Sequence, residues 1–194
     1  MRVGITGSIA CGKTTVCQHL KRIGYPIIDA DEISRQIIAE NCEVLQEIAD
    51  NFGTSYFDAA GHVKRIDLGN LIFTDKVARE KLNRIIHPYI LVKMEEESKK
   101  FIQDGYKDIF LDIPLLVEGK LWQQIDRIWI CFCPEKLQLS RIIARDNCSE
   151  ELARKKIMAQ QLLNTKIRFA DEIVNSACSK TKMFINVEKL CKEL

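Results

Sequence analysis

Long apolar runs are missing from this chain: no stretch approaches the ~18 consecutive apolar residues of a membrane-spanning helix. An excess of one charge is missing too, since 29 Lys and Arg residues are set against 27 Asp and Glu residues, for a net charge of +2. This balance, with no basic arm, argues against partners such as nucleic acid or a membrane surface. A strand-like run follows almost directly on Met1, so we expect no signal peptide and a cytoplasmic protein.

Closely paired cysteines are also lacking. The chain has eight cysteines but no Cys-x-x-Cys pair, and Cys131 and Cys133 lie in an apolar strand-like run. A zinc site is therefore not expected. We expect reduced, mostly buried thiols.

What the chain does contain is the stretch GSIACGKT at residues 7–14. The stretch has the spacing of a phosphate-binding loop: Gly7 is followed, after four residues, by Gly12, Lys13 and Thr14. In such a loop, backbone N–H groups and the positive end of the following helix bind phosphate oxygens. Lys13 can reach the β- and γ-phosphates, and the Thr14 hydroxyl can bind Mg²⁺.

The flanking sequence fits this interpretation. The apolar residues 3–6 predict a strand before the loop, and the periodicity of residues 14–23 predicts a helix after it. The chain is therefore predicted to bind a nucleoside triphosphate, or another polyphosphate, together with Mg²⁺.

Strand and helix patterns alternate along most of the remaining chain. Further strands are predicted at residues 25–28, 108–113, 127–132 and 172–175, and helices at 32–39, 43–52, 137–147, from 149 onwards, and at 183–194. This alternation predicts an α/β fold, a parallel five-stranded sheet with helices on both faces. The pattern of residues 65–103 is mainly helical instead, which indicates an inserted substrate-binding region. His87-Pro88 is expected to kink or split a helix there.

Ligands of parallel sheets bind at the carboxyl ends of the strands, where several acids are predicted. Asp31 can accept or orient the proton of an acceptor hydroxyl, or it is a helix N-cap with Asp29 as a turn residue. Asp112 can hold the water shell of Mg²⁺, or it is a turn carboxylate. Arg141 and Arg145, one helical turn apart, can neutralise a transferring phosphoryl group, or they form a solvated face.

These groups favour a kinase that acts on a small acceptor. No Asn-Lys-x-Asp stretch for guanine recognition is present, which argues against a GTPase. Phosphoryl transfer needs a loop, a group that positions the acceptor, and cations, and the sequence has candidates for all three. A non-catalytic ATP-sensing module is the alternative from a different class.

Nearly the whole chain resembles the dephospho-CoA kinase family. The resemblance is carried by Gly4–Val16, Asp29-Ala30-Asp31-Glu32-Ile33 with Arg35, Arg65 three before Leu68, Ile86-His87-Pro88, Asp112-Ile113-Pro114-Leu115-Leu116-Val117-Glu118, and Gln160, Lys166 and Ala170-Asp171. It implies transfer of the ATP γ-phosphate to the 3′-hydroxyl of dephospho-CoA, the last step of coenzyme A biosynthesis. Another P-loop kinase, for a nucleoside or nucleotide, is the closest alternative.

The resemblance also implies a P-loop kinase fold of three parts: a core at about 1–60, 106–140 and 167–194, a helical CoA-binding insertion at about 61–105, and a helical lid at about 141–166. The implied catalytic residues are Asp31, Lys13, Arg141 and Arg145. The implied ATP-binding residues are Gly7, Ala10, Cys11, Gly12, Lys13, Thr14 and Thr15. Substrate binding is implied for Asp31, Arg65, His87, Leu115 and Glu118, and metal binding for Thr14 and Asp112.

The loop departs from the family pattern at three positions. Ser8, Ala10 and Cys11 replace two glycines and a serine, and Ala10 tolerates a positive φ less well than glycine. Ser176 likewise ends a segment that differs from the family's closing strand. We hypothesise that Cys11, a thiol in an anion-binding loop, has a lowered pKa; an unreactive loop thiol is the alternative.

Overall fold

The computed structural model describes residues 1–119, 125–160 and 163–194. In chain order its strands and helices are β1 (Arg2–Gly7), α1 (Lys13–Arg22), β2 (Ile27–Asp29), α2 (Ala30–Glu40), α3 (Cys42–Phe52), α4 (Arg65–Thr74), α5 (Lys76–Gln103), β3 (Ile109–Asp112), β4 (Arg127–Phe132), α6 (Glu135–Asp146), α7 (Glu150–Met158), α8 (Leu163–Lys166), β5 (Glu172–Asn175) and α9 (Lys180–Lys192). None of the helices in the described part of the chain is long and apolar enough to cross a membrane.

The five strands form one parallel sheet in the order β2-β3-β1-β4-β5, which confirms the predicted α/β fold. β1 lies in the middle of the sheet and is buried from Val3 to Gly7. β3 is buried at all four positions, as expected for a strand that is covered on both faces. This order brings the carboxyl ends of β1 and β3 side by side.

One face of the sheet carries a continuous hydrophobic core. Val3 and Ile5 of β1 and Trp129 of β4 are completely buried there, together with Leu20 of α1 and Val187 of α9. Their side chains come from alternate strand positions and from one face of each helix, which is the pattern that buries a sheet face. This core fixes the start of α1 beyond the end of β1, and so fixes the loop between them.

The chain divides into two compact units, which are described separately. The first unit is Met1–Asp29 with Phe101–Leu194 and contains the sheet; the second is Ala30–Lys100 and is helical. The core, insertion and lid boundaries expected from the sequence remain a prediction. Residues 120–124 of the expected core and 161–162 of the expected lid lie outside the described residues.

The second unit is held by polar contacts as well as by buried apolar residues. Tyr89 of α5 donates a hydrogen bond to Glu43 of α3 at 3.2 Å, and Lys81 of α5 donates to the Asn51 carbonyl at 3.2 Å. These two bonds tie the longest helix of the unit to α3.

A kink or a split of a helix was predicted at His87-Pro88, and the split is wrong. α5 continues through Pro88, and the helical region instead divides at Asp75, between α4 and α5. The Asp75 carboxylate accepts hydrogen bonds from the N–H groups of Val77 and Ala78, at 2.8 and 3.1 Å, and thereby caps α5. A proline costs a helix one backbone bond, and the neighbouring Ile85, Ile86 and Ile90, all buried, favour the continuous helix.

Candidate active site

The phosphate-binding loop connects the end of β1 to the start of α1, as predicted. A Cβ atom on Gly7 would lie 2.4 Å from Cys11 Sγ and 2.7 Å from the Cys131 carbonyl oxygen, so only glycine fits. Gly12 caps α1 with a left-handed φ of 87°, and a Cβ atom there would lie 2.9 Å from Ser176 Cβ. The glycines of the motif are therefore required by close approach and by backbone conformation.

Ala10 keeps the left-handed backbone of the loop although it is not a glycine. Its φ is 58°, a conformation that costs an alanine about 1–2 kcal/mol. The Arg141 guanidinium donates to the Ala10 carbonyl oxygen at 3.1 Å and so helps to hold this conformation. The replacement of a family glycine by Ala10 thus leaves the loop's left-handed turn in place.

Arg141 of α6 connects the loop to the segment after β5. Besides the Ala10 carbonyl, its guanidinium donates to Ser176 Oγ at 3.0 Å and to the Ser176 carbonyl at 2.7 Å. Ser176 Oγ in turn donates to the Cys11 carbonyl at 2.6 Å. Arg141 therefore lies at the loop and supports its shape.

We expect Arg141→Lys to lower the free energy of unfolding by about 1–3 kcal/mol and to weaken ATP binding. An ammonium is compact and cannot span the three acceptors that a planar guanidinium reaches. Urea denaturation and ATP titration would measure both effects. Arg154→Lys, on the exposed surface of α7, is the matched control. A variant as stable as the wild type would show that the three bonds contribute little.

Lys13 and Asp112 form an ion pair at the carboxyl end of β3. Asp112 is opposite Ile5 of β1 in the sheet register and is only 7% exposed. Burial raises the pKa of the neighbouring Cys17 thiol, and the Asp112 carboxylate, to which this thiol is hydrogen-bonded, raises it further. Asp112 is thus an anion between an ammonium and a neutral thiol, directly beside the loop.

Two oxygen donors suited to Mg²⁺ belong to this end of the sheet. Thr14, in the first turn of α1, is exposed, and Asp112 ends β3. Mg²⁺ takes hard oxygen ligands and is commonly held by one or two protein groups plus substrate phosphates. The donor chemistry of Thr14 and Asp112 fits such an ion.

The hypothesis of a reactive Cys11 is wrong. Cys11 is 1% exposed, and this burial raises the pKa of its thiol to about 11, although the backbone N–H of Lys13 acts in the opposite direction. The Cys11 side chain lies close under Gly7, towards the sheet. Desolvation of the thiolate outweighs the attraction of the loop's N–H groups.

Thiol labelling of the native protein should therefore be fastest at Cys42, the exposed cysteine at the start of α3. A maleimide time course should lose its fast phase in Cys42→Ser and keep it in Cys11→Ser. ATP should not change the rate. A fast phase that ATP protects and that Cys11→Ser removes would contradict the buried position of Cys11.

Glu118 has a buried partner that the sequence did not indicate. The Lys166 ammonium, at the end of α8, is fully buried and lies 2.6 Å from Glu118 Oε1. Neither group has any other polar partner recorded among the described residues. Removal of either partner would leave an uncompensated buried charge, so Glu118 has a structural role whatever else it binds.

Arg145 does not share the position of Arg141. Its side chain is 58% exposed and is bonded to Asp146 at 2.7 Å. Arg145, followed by Lys156, lowers the pKa of the Asp146 carboxyl well below its usual range. The two arginines are one helical turn apart, as predicted, but of the two only Arg141 has a recorded bond to the loop among the described residues.

The expected acceptor residues are divided between the units. Leu115 belongs to the first unit and is 40% exposed. Asp31 is exposed in the first turn of α2, Arg65 begins α4 and donates to the Arg35 carbonyl at 2.6 Å, and His87 is half-buried in α5. Burial lowers the pKa of His87.

Two contacts of the loop were not predicted from the sequence. Ser176 binds Arg141 and the Cys11 carbonyl, and Gln160 Oε1 accepts a hydrogen bond from the Ile9 N–H at 2.8 Å. Both side chains are far from the loop in sequence, and serine and glutamine are too common for spacing to single them out. The resemblance contained Gln160 as part of its pattern but gave it no contact.

The parallel sheet, the loop between β1 and α1, and the lysine–carboxylate pair define a P-loop kinase. Shikimate kinase from Acinetobacter baumannii has a similar fold, with a TM-score of 0.52 at 15% identity, covering 98% of this chain and 90% of that one. The dephospho-CoA kinase from Campylobacter jejuni is more similar, with a TM-score of 0.74 at 28% identity, covering 99% and 96%.

Similarity in sequence identifies the family within the P-loop kinases. The dephospho-CoA kinase family profile matches residues 1–181. A dephospho-CoA kinase of Staphylococcus aureus is 34% identical over 191 residues, which cover 98% of this chain and 92% of that protein. The chain therefore belongs to the dephospho-CoA kinase family, as its motifs indicated, and ATP is the co-substrate of such a kinase.

Proposed function

We propose that this protein transfers the γ-phosphoryl group of ATP to the ribose 3′-hydroxyl of dephospho-CoA and releases ADP and coenzyme A. Family membership supports the choice of acceptor. The Lys13–Asp112 ion pair beside the loop is the observation that carries the chemistry, because it holds an ammonium at the end of the sheet where phosphates are expected. The predicted cytoplasmic location remains an expectation from the sequence.

Lys13 would exchange partners when ATP binds. A phosphate oxygen carries charge and is a strong acceptor for an ammonium, so Lys13 would bind the β- and γ-phosphates. Asp112 would then be available to the magnesium ion, with the Thr14 hydroxyl as the second protein donor. Mg²⁺ bound there would neutralise part of the charge on the β- and γ-phosphates.

The remaining residues of the loop would hold the phosphates through their backbone. Gly7, Ala10, Cys11, Gly12 and Thr15 belong to the loop or to the first turn of α1. Arg141 would keep the loop in this shape and add positive charge beside it. Arg145, which is exposed and bonded to Asp146, would reach the nucleotide only by giving up that partner.

Asp31 would position the acceptor hydroxyl and accept its proton. Its place in the first turn of α2, directly after the end of β2, supports this role, because ligands of parallel sheets bind beyond strand ends. Arg65, His87, Leu115 and Glu118 would contribute to acceptor binding. Because its pKa is lowered by burial, His87 would act at neutral pH as an uncharged hydrogen-bonding group.

ADP release from ATP and Mg²⁺, measured with and without dephospho-CoA, tests the proposal. We expect a small rate without acceptor, a sharp increase with dephospho-CoA, and coenzyme A as the product identified by mass. Chelation of Mg²⁺ should stop the reaction. Equal ADP release with and without dephospho-CoA, or a faster reaction with a nucleoside as acceptor, would refute the proposed acceptor. ATP binding with no turnover on any acceptor would indicate a sensing module.

A further inference from the structure

The Ile9 N–H, within the phosphate-binding loop, is bonded to a side chain from the far end of the sequence. Gln160 Oε1 accepts this hydrogen bond at 2.8 Å across 151 residues. Backbone N–H groups of such a loop are the donors that bind phosphate oxygens. A neutral amide oxygen therefore occupies a donor of the anion-binding loop.

The position of Gln160 is fixed by the end of α7. The Ala159 N–H donates to the Lys155 carbonyl at 3.0 Å, and the Gln160 N–H donates to the Ile157 carbonyl at 3.2 Å. These bonds close the last turn of the helix. The contact with Ile9 is thus made by a half-buried side chain whose backbone is bonded to that turn.

The chemistry of a glutamine amide differs from that of the other side chain at this part of the loop. Arg141 holds the Ala10 carbonyl, and a guanidinium can only donate. Gln160 has an acceptor oxygen and an NH₂ group with two donors, and the described residues provide no recorded partner for this NH₂ group. Gln160 can therefore satisfy a loop N–H in one orientation and donate to an anion in another.

We propose that Gln160 occupies the Ile9 N–H until ATP binds, and that its NH₂ group then donates a hydrogen bond to a phosphate of the bound nucleotide. A phosphate oxygen is charged and is a stronger acceptor than an amide oxygen, so it displaces Gln160 Oε1 from the Ile9 N–H. The released side chain turns its Nε2 atom to the phosphate. Gln160 is thereby a nucleotide-contacting residue of the reaction, and this inference rests on the proposed kinase function.

Two variants separate this role from simple support of the loop. Gln160→Glu keeps the length and the acceptor for Ile9 but loses the donor and adds a negative charge. Gln160→Met keeps the approximate length and loses both the acceptor and the donor. If Gln160 only supports the loop, the glutamate variant should bind ATP as well as the methionine variant or better. If Gln160 contacts phosphate, the glutamate variant should be the weaker binder.

The experiment is calorimetric titration of each protein with ATP and Mg²⁺ in the absence of dephospho-CoA. We expect Gln160→Glu to weaken ATP binding by about 10- to 100-fold, because it loses the charge-assisted hydrogen bond and also places a negative charge beside the phosphate. Gln160→Met should be affected less. Met158→Glu is the matched control, because it adds the same charge two residues away on a side chain that is 79% exposed. Its ATP affinity should stay near that of the wild type.

Repeating the titrations at high salt excludes a long-range charge effect, which salt would screen. The difference between Gln160→Glu and Gln160→Met should persist there. Equal ATP affinity of the two variants, a tighter Gln160→Glu, or an equal loss in Met158→Glu would overturn the proposal. Thermal unfolding of each variant checks that the fold is kept. The proposed function has its own test: it is refuted if the wild-type protein shows no ADP release that depends on dephospho-CoA.

Discussion

Lys13→Met should reduce kcat/KM by about 10²- to 10³-fold, the usual effect of removing one preorganised electrostatic group from a phosphoryl or acyl transfer site. Methionine keeps most of the side-chain length but has no charge. Lys13 is the ammonium held at the end of β3, where the loop and the sheet meet. Steady-state ADP release with varied ATP, at saturating dephospho-CoA, would measure the loss.

Lys13→Met should also lower the free energy of unfolding, by about 3 kcal/mol. The Asp112 side chain is only 10% exposed, and without its partner it becomes a buried, uncompensated carboxylate. The double variant Lys13→Met, Asp112→Asn removes both charges and should regain most of the stability. Urea denaturation of the two variants would test this.

Activity and stability should therefore respond differently to the second substitution. The double variant should remain as inactive as Lys13→Met, because neither the ammonium proposed to bind phosphate nor the carboxylate proposed to bind magnesium is left. Lys21→Met, in the exposed last turn of α1, is the control for loss of a lysine from the same helix. A double variant that recovers activity together with stability would show that Lys13 acts only as the structural partner of Asp112.

The second large effect is expected for Asp31→Asn, which should lower kcat by about 10²- to 10⁴-fold, the range of general base catalysis. Asparagine has the same shape but cannot take a proton at neutral pH. ATP affinity should be kept, because Asp31 is proposed to act on the acceptor hydroxyl. ADP release with and without dephospho-CoA, alongside an ATP titration, would separate chemistry from binding.

Asp31 also lies in the first turn of α2, where a carboxylate stabilises the helix. This effect is worth only about 0.3–1 kcal/mol, so a small decrease in melting temperature is expected beside a large decrease in kcat. Asp50→Asn, an exposed change of the same type in α3, is the control and should leave kcat unchanged. An active Asp31→Asn protein with only a lowered melting temperature would make Asp31 a helix-start residue.

Local pattern was sufficient for the parts of the fold that depend on near neighbours. Strand-like runs in the sequence predicted all five strands. β5 was predicted at its observed bounds, residues 172–175. The loop was predicted from its spacing because phosphate binding needs glycines and a lysine at fixed intervals. Asp112 was correctly expected at the end of a strand.

Where a local preference competed with burial, the sequence interpretation failed. Pro88 disfavours a helix, yet α5 continues because the apolar residues around it are buried. Cys11 lies in an anion-binding loop, which lowers a thiol pKa, yet its side chain points towards the sheet and burial raises that pKa. Neither the continuity of α5 nor the raised pKa of Cys11 can be obtained from the residue type and its neighbours in sequence.

By itself, the sequence determined the order of the elements, the phosphate-binding loop and the family, because each depends on residue types at short, fixed spacings. Only the tertiary structure decided which side chains hold the loop. Gln160 meets Ile9 across 151 residues, Arg141 meets Ala10 across 131, and Ser176 meets Cys11 across 165. Such contacts arise when the parallel sheet brings distant segments to the same end, and common residue types carry no signal of the partners they meet there.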